Sequence, residues 1–396
     1  MPTPAAREAE PGPATGACDV LVIGGGPAGL ATAIQLRLTT HLDVVVAEAR
    51  LLPAERFGET LTPGTIAVLD RLGVADAFRV DGHLPCPGGM SVWGRERPGY
   101  SDHVLDPRGP AWHLDRRLFE SRLRERATEV GAVLHRGSRA VATGSPGHRA
   151  AHDAHDARTA VRLQDASGTA TVLRPRWVVD ATGTRSWFAR RQGGGRCILD
   201  RQVAVLRIAD LTSGTFTAQT VVEATPIGWW YASRLPGGRI VTALVTEPGS
   251  TTAVLADDGR RWHQELAATT LLGPLLDRVR VRDAPLACRP FTVSTLDRAA
   301  GPGWLAVGDA ASEGDPITGC GIHDALLDAL DAAHTIAAAL GRRKPTTWRY
   351  EDRTRARFEG HRQARDTLYA SERRWPDAPF WAARRDRSAT EPAIPS

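Results

Sequence analysis

DVLVIGGGPAGLATAIQLRLTTHLDVVVAEA, residues 19–49, decides the fold. A β-branched apolar run ends at Ile23, a glycine-rich turn follows, and a helical pattern leads to a second apolar run. Strand, turn, helix and strand in this order open a doubly wound parallel sheet. Gly24, Gly26 and Gly29 have the G-x-G-x-x-G spacing. The first glycine permits the tight turn, the second lets a pyrophosphate approach the backbone, and the third lets helix and strand pack closely. Pro27 and Ala28 begin the helix, whose amides and dipole face the phosphates. Glu48 ends the second strand, just before Ala49, where its carboxylate can accept hydrogen bonds from an adenosine ribose.

Outward from this unit, residues 64–73 and 115–130 read as helices, and GAVLHRG, TAVRLQD, GTATVLRP and RWVVDATG as separate short strands. Residues 144–158 have loop composition, and their three histidines read as solvated loop residues. Residues 199–292 are strand-rich with one helix around 258–277, and the α/β pattern returns at GWLAVGDAA. The expected fold class is α/β (α+β overall): a Rossmann-like three-layer domain with an inserted, mostly antiparallel β substrate domain and a C-terminal helical tail. The expected boundaries are a disordered lead-in over 1–16, a discontinuous nucleotide domain of 17–82, 105–198 and 293–345, a capping β domain of 83–104 and 199–292, and the tail from 346.

The 396-residue chain can bury a sizeable core. Its net charge of +5 comes from dispersed arginines, and Lys344 is the only lysine, so no nucleic-acid footprint is present. Cys18, Cys86, Cys197, Cys288 and Cys320 form no CxxC pair and no metal-type cluster with histidine, which predicts a reduced, cytoplasmic protein without a metal. No apolar run approaches the roughly 20 residues needed to span a bilayer.

Nicotinamide and flavin cofactors share the glycine fingerprint, and GWLAVGDAASEGDPITGCGIHDAL, residues 303–326, separates them. Here the chain resembles the glutathione-reductase-like flavoproteins, a group that includes aromatic hydroxylases, geranylgeranyl reductases and flavin-dependent halogenases. The resemblance implies FAD. It places Gly308 and Asp309 at the ribityl and phosphate portion, and Asp315, Pro316, Thr318, Gly319, Cys320, Gly321 and Ile322 against the ring. It also implies that Arg116 in WHLDRRLFESRL lies near the pyrophosphate, and that Ala181 and Gly183 in VVDATGTRS cross near the cofactor. Hydroxylases with their own NADPH site usually carry Asp-Gly at that crossing. Asp180-Ala-Thr-Gly183 and the lack of a second G-x-G-x-x-G therefore point to an external flavin reductase, or to NAD(P)H used without a dedicated domain.

RFGETLTPG, residues 56–64, and RRWPDAPFWAARR near the C-terminus resemble segments of the flavin-dependent halogenases, implying flavin contact by Arg56. Two departures count against halogenation. That group uses a chamber lysine, whereas PCPGGMSVWGRE, where it would fall, has none, and arginine cannot form a chloramine or tune its pKa similarly. The Trp-x-Trp-x-Ile-Pro shield reads Tyr231-Ala-Ser233-Arg-Leu235-Pro236. The chain is most similar to halogenase-like flavoproteins that oxygenate a tryptophan side chain in a partner protein. The implied chemistry is monooxygenation of an aromatic group, small-molecule or peptidyl, by O2 through a flavin C4a-hydroperoxide.

Glu59 is the candidate proton relay, Thr318 a ring-side catalytic group, and Trp93, Trp229, Trp230 and Tyr231 the candidate aromatic wall over the flavin. His113 is expected to make a helix-entry hydrogen bond, His323 to sit at a helix terminus, and Cys320 to be either a small packed residue or a thiol beside the ring. Open alternatives are a geranylgeranyl-reductase-type dehydrogenase, an atypical halogenase and a non-enzymatic flavin sensor.

Overall fold

The computed structural model describes residues 14–51, 58–103, 106–144, 159–341 and 347–390. Arg56, Lys344 and the histidines of 144–158 lie outside the described residues.

The first strand, Ala14–Ile23, is the middle of a parallel sheet. It pairs with Val44–Glu48 on one side and Ala170–Asp180 on the other; Val133–Arg136 and Trp304–Ala306 extend the two flanks. Side chains of the first strand alternate with period 2. Val20 and Val22 face the core formed with the helices Pro27–Thr39, Arg116–Glu129 and Gly321–Leu340. Leu21 and Ile23 face a second core, with Phe188 and the hairpin strands Arg139–Thr143 and Val161–Gln164. Burial on both faces explains the unbroken apolar run in the sequence.

Two details differ from the sequence expectation. Ala14–Gly16 is not lead-in but strand, paired with Thr171–Leu173. GTATVLRP and RWVVDATG are one strand, Ala170–Asp180, despite Pro175. The hairpin pairs with residues 170–173 and Trp304–Ala306 with 178–180. Among the described residues Pro175 thus falls where one flank of the strand has no neighbour, and a missing N–H is tolerated there.

A second, mainly antiparallel sheet runs in the order Ser312–Glu313, Ala287–Leu296, Arg196–Ser213, Arg239–Thr246, Gly228–Leu235, Thr220–Thr225, Gly88–Val92, Gly99–Asp102. One face packs on Trp262, Leu266 and Leu272 of short helices. The helix expected around 258–277 is two, Arg260–Ala267 and Leu272–Leu276. Buried Glu223 divides them, accepting the amides of Thr270, Leu271 and Leu272 at 2.5–2.9 Å.

The other face of this sheet is covered by the C-terminal helices Thr347–Ser371 and Pro379–Thr390, through Tyr369, Phe380 and Trp381. These helices are an integral wall of the molecule rather than a tail. A small three-stranded sheet, Thr60–Leu61, Ala111–His113 and Leu84–Cys86, joins the two large sheets.

Candidate active site

The glycine turn has the geometry its spacing demands. Gly24 adopts φ +114°, and a Cβ there would lie 2.2 Å from the carbonyl oxygen of Ala181. A Cβ on Gly29 would lie 2.0 Å from the Gly24 oxygen. The Gly25 amide donates to Glu48 Oε2 at 2.7 Å, while Oε1 accepts the amide of Arg50 at 2.8 Å. Each carboxylate oxygen keeps a lone pair for a further donor. Gly26 precedes the helix in extended conformation and Pro27 occupies its first turn, so the amides at this end point into the turn. Ala49 is exposed just beyond the strand.

Gly308 reaches the same place from the other end of the chain. Its φ is +57°, and a Cβ would lie 2.9 Å from Cβ of Ala28. Its amide donates to buried Asp328 at 3.1 Å, and Arg357 pairs with the same carboxylate. Burial raises Asp328 to about 6, against the pull of Arg357. Asp309 is exposed beside this turn, and its backbone carbonyl accepts both terminal nitrogens of Arg196.

The turn expected at the ring begins at Asp315, whose Oδ1 accepts the Ile317 amide at 3.0 Å. Thr318 Oγ1 donates to the Asp315 carbonyl, Gly319 takes φ +65°, and Ile322 is buried in the first turn of the following helix. Pro316 is exposed. Cys320 Sγ donates to the Thr318 carbonyl at 3.1 Å, and burial raises its thiol to about 11. A thiolate is therefore scarce at neutral pH. His323, in the first helical turn as expected, has Nδ1 3.0 Å from Thr65 Oγ1.

A buried polar cluster lies at the junction of the small and antiparallel sheets. Glu59 is 3% exposed, and its Oε1 has no hydrogen-bond partner. Burial raises its carboxyl to about 7, although Arg116 and Arg239 pull the other way. Arg116 donates to the Gly58 carbonyl and pairs with Glu120 at 2.8 Å. The hydroxyl of Tyr231 lies 3.2 Å from Thr60 Oγ1 and 2.9 Å from Ser233 Oγ. Burial, reinforced by Glu59, holds this phenol well above its usual range.

The expected aromatic wall is divided. Tyr231 alone of the four turns to this cluster. Trp230 points through the opposite face, where its ring meets Trp262 at 5.0 Å between centroids. Strand alternation separates the two, so Trp230 does not share a wall with Tyr231. Trp93 donates to the Leu368 carbonyl at 2.7 Å and Trp229 to Tyr369 Oη at 3.0 Å; both anchor the C-terminal helices. His113 is corrected too. Its Nε2 lies 2.9 Å from Thr220 Oγ1, and the helix entry is capped by Asp115. Burial lowers His113 to about 4, so the ring is neutral.

Sequence reading missed the partners of Asp315. Its Oδ2 receives Gln202 Nε2 at 2.8 Å, Arg365 Nε at 3.0 Å and Tyr369 Oη at 3.1 Å. One signal was available: Arg357, His361 and Arg365 lie at i, i+4 and i+8 on one helix, facing Asp328, Asp324 and Asp315.

The residues fit a flavin. An added Cβ at Gly183, Gly314, Gly319 or Gly321 would meet nothing within 4 Å, leaving room along the ring-side turn and the crossing after Ala181. The unpartnered Glu59 oxygen supplies a polar group without a protein mate. Among the described residues there is no cluster of metal-ligating side chains, and no helix long and apolar enough to cross a membrane.

The chain is 24% identical over 382 residues to LodB of Marinomonas mediterranea, named as an FAD-dependent oxidoreductase, covering 95% of this chain and 99% of that protein. The myxobacterial chondrochloren halogenase CndH superposes with TM-score 0.80 at 22% identity, over 94% of this chain and 88% of its own. The peptidyl tryptophan dihydroxylase QhpG superposes with TM-score 0.70 at 24% identity, over 93% and 79%. The FAD binding domain family matches residues 17–360, so the chain belongs to that family and is an FAD-dependent enzyme of the oxidoreductase type.

Proposed function

We propose that the protein is an FAD-dependent monooxygenase that hydroxylates an aromatic group of a peptidyl or natural-product substrate. The observation carrying this reading is the Glu59, Thr60, Tyr231 and Ser233 cluster. The tryptophans of the halogenase shield are replaced by two hydroxyl-bearing side chains 2.9 Å apart, beside a buried carboxyl raised to about 7. A carboxyl near neutrality can both give and take a proton, as oxygen transfer to a ring requires. The absence of lysine from residues 85–96 supports oxygenation over halogenation.

Bound FAD, once reduced, supplies the electrons that activate O2. The chain's residues do the rest. Glu59 Oε1 holds the mobile proton, the bonded hydroxyls of Tyr231 and Thr60 stand in the same cluster to receive or pass it, and Arg116 holds the Gly58 carbonyl beside it. Thr318 sits in the turn that forms the ring-side wall. Electrons come from an external flavin reductase or NAD(P)H. The free cysteines suit work in the cytoplasm.

The test is to photoreduce the holoprotein anaerobically and mix it with 18O2, bromide and tryptophan-containing peptides or simple indoles. Incorporation of labelled oxygen into an aromatic product supports the reading. Brominated product would favour the halogenase alternative, and immediate release of all the oxygen as peroxide would sink it.

A further inference from the structure

We infer that Arg365 is a positioning residue for the ring-side turn, and that through it the C-terminal helices set the electrostatic environment of the bound flavin. The inference rests on the reading that this turn faces the flavin.

Asp315 is the anchor of the turn. One carboxylate oxygen holds the Ile317 amide inside it, and the other receives three donors from outside, of which Arg365 is the only charged one. Arg365 is 4% exposed, spans from Asp315 to Asp200, and stacks its guanidinium 4.7 Å from the Tyr369 ring centroid. Asp200 is also held by Arg384 of the last helix at 2.9 Å, and Arg384 pairs with Glu247. A continuous chain therefore runs from Glu247 through Arg384, Asp200 and Arg365 to Asp315. It joins the antiparallel sheet and both C-terminal helices to the turn.

The charges in this chain are two guanidiniums against three carboxylates. Without Arg365, Asp315 would keep only neutral donors, the Ile317 amide, Gln202 and Tyr369, around a buried negative charge. Losing one partner of a buried pair exposes the other to the full cost of desolvation. Flavin reduction adds negative charge, which an uncompensated carboxylate nearby opposes. Truncating Arg365 should thus make the flavin harder to reduce, beyond any effect on stability. Arg365→Lys keeps the charge but cannot span both carboxylates.

The experiment uses Arg365→Met, Arg365→Lys and Tyr369→Phe in the full chain. The readouts are thermal unfolding, flavin midpoint potential against a reference dye, and hydrogen exchange of the Ile317 and Thr318 amides in flavin-free protein. Arg365→Met should lower the potential by at least about 30 mV, a tenfold shift for a two-electron couple, and Arg365→Lys should restore most of it. Tyr369→Phe, which leaves the charges in place, should speed Ile317 exchange with a smaller potential shift. A stability loss in Arg365→Met with wild-type potential and wild-type exchange overturns the inference. If Arg365→Met does not fold, wild-type Ile317 exchange together with wild-type potential in Tyr369→Phe overturns it equally. Failure of the wild type to take up FAD would instead defeat the flavin reading, while exchange of the Ile317 amide would still test the anchor.

Discussion

Glu48 Oε2 accepts the amide of Gly25 at 2.7 Å, tying the end of the second strand to the glycine turn. A charge-assisted bond of this kind contributes roughly 1.5–3 kcal/mol. Glu48→Ala should raise the dissociation constant of FAD roughly ten- to a hundredfold, with Glu48→Gln between it and wild type. Titration of flavin-free protein measures this. Unchanged affinity in Glu48→Ala would show that the carboxylate serves the turn and not the cofactor.

Gly29→Ala and Gly321→Ala should fail in different ways. The first puts a Cβ 2.0 Å from a backbone oxygen, so it should lower the melting temperature and leave only trace flavin. The second meets no protein atom within 4 Å. It should leave flavin-free stability unchanged or raise it by about 0.4–1 kcal/mol, yet weaken FAD binding. Normal FAD affinity in Gly321→Ala would mean that the ring lies elsewhere.

Glu59 makes stability depend on pH in a stated direction. Its carboxyl is raised from 4.5 to about 7, so between these values the folded protein retains a proton that the unfolded chain has lost. Stability from this group is full below the lower value, falls as pH rises across the window, and is level above it. The difference is at most roughly 3 kcal/mol. Denaturant unfolding of wild type and Glu59→Gln from pH 4 to 9 should show their stabilities diverging across this window. Parallel profiles would place the proton elsewhere, for example on Glu313, which burial also raises to about 7.

Tyr231 and Trp230 should separate activity from stability. Tyr231→Phe removes the hydroxyl that meets Thr60 and Ser233, and should cost roughly a hundredfold in turnover, the lower end of the range for proton-transfer groups, with FAD content unchanged. Trp230→Ala empties a core site against Trp262 and should cost about 3–5 kcal/mol in stability. Trp230→Phe should keep near-normal turnover per folded molecule. The reverse pattern, read by steady-state kinetics and calorimetry, would reassign the substrate face.

Cys320 should form no bond to the flavin. Its proton is held by burial, with the thiol at about 11. Denatured protein should release all its FAD at the mass of the unmodified chain, and Cys320→Ser should bind FAD normally. A chain carrying the added mass of FAD, lost in Cys320→Ser, would contradict this.

The parts of the fold legible in the sequence were those written in local spacing. The turn at Gly24–Gly29 and the helix from Arg116 follow from steric demands and capping within a few residues. The ring-side segment was found by resemblance, and its anchoring was not legible, because Asp315 meets Gln202 and Arg365 across separations of 113 and 50 residues. The Trp229–Trp230–Tyr231 run misled for a simpler reason. Neighbours on a strand face opposite ways, and here one face packs on the short helices and the other on the C-terminal helices, a choice of faces that local sequence does not carry. Glu223 was likewise invisible as a helix cap, since it serves amides 47 to 49 positions later.

The close approach of Gly308 to Ala28 has a bearing on synthesis. The glycine turn leaves the ribosome early, but the segment that closes over it is made some 280 residues later, at roughly 5–20 residues per second. Ala14–Ile23 also waits for Ala170–Asp180 before its sheet can form. Nascent chains therefore carry an apolar strand open along one edge for many seconds. Growth temperature and chaperone supply should govern the yield of soluble protein, and flavin added during expression should have little effect until translation has passed the ring-side turn.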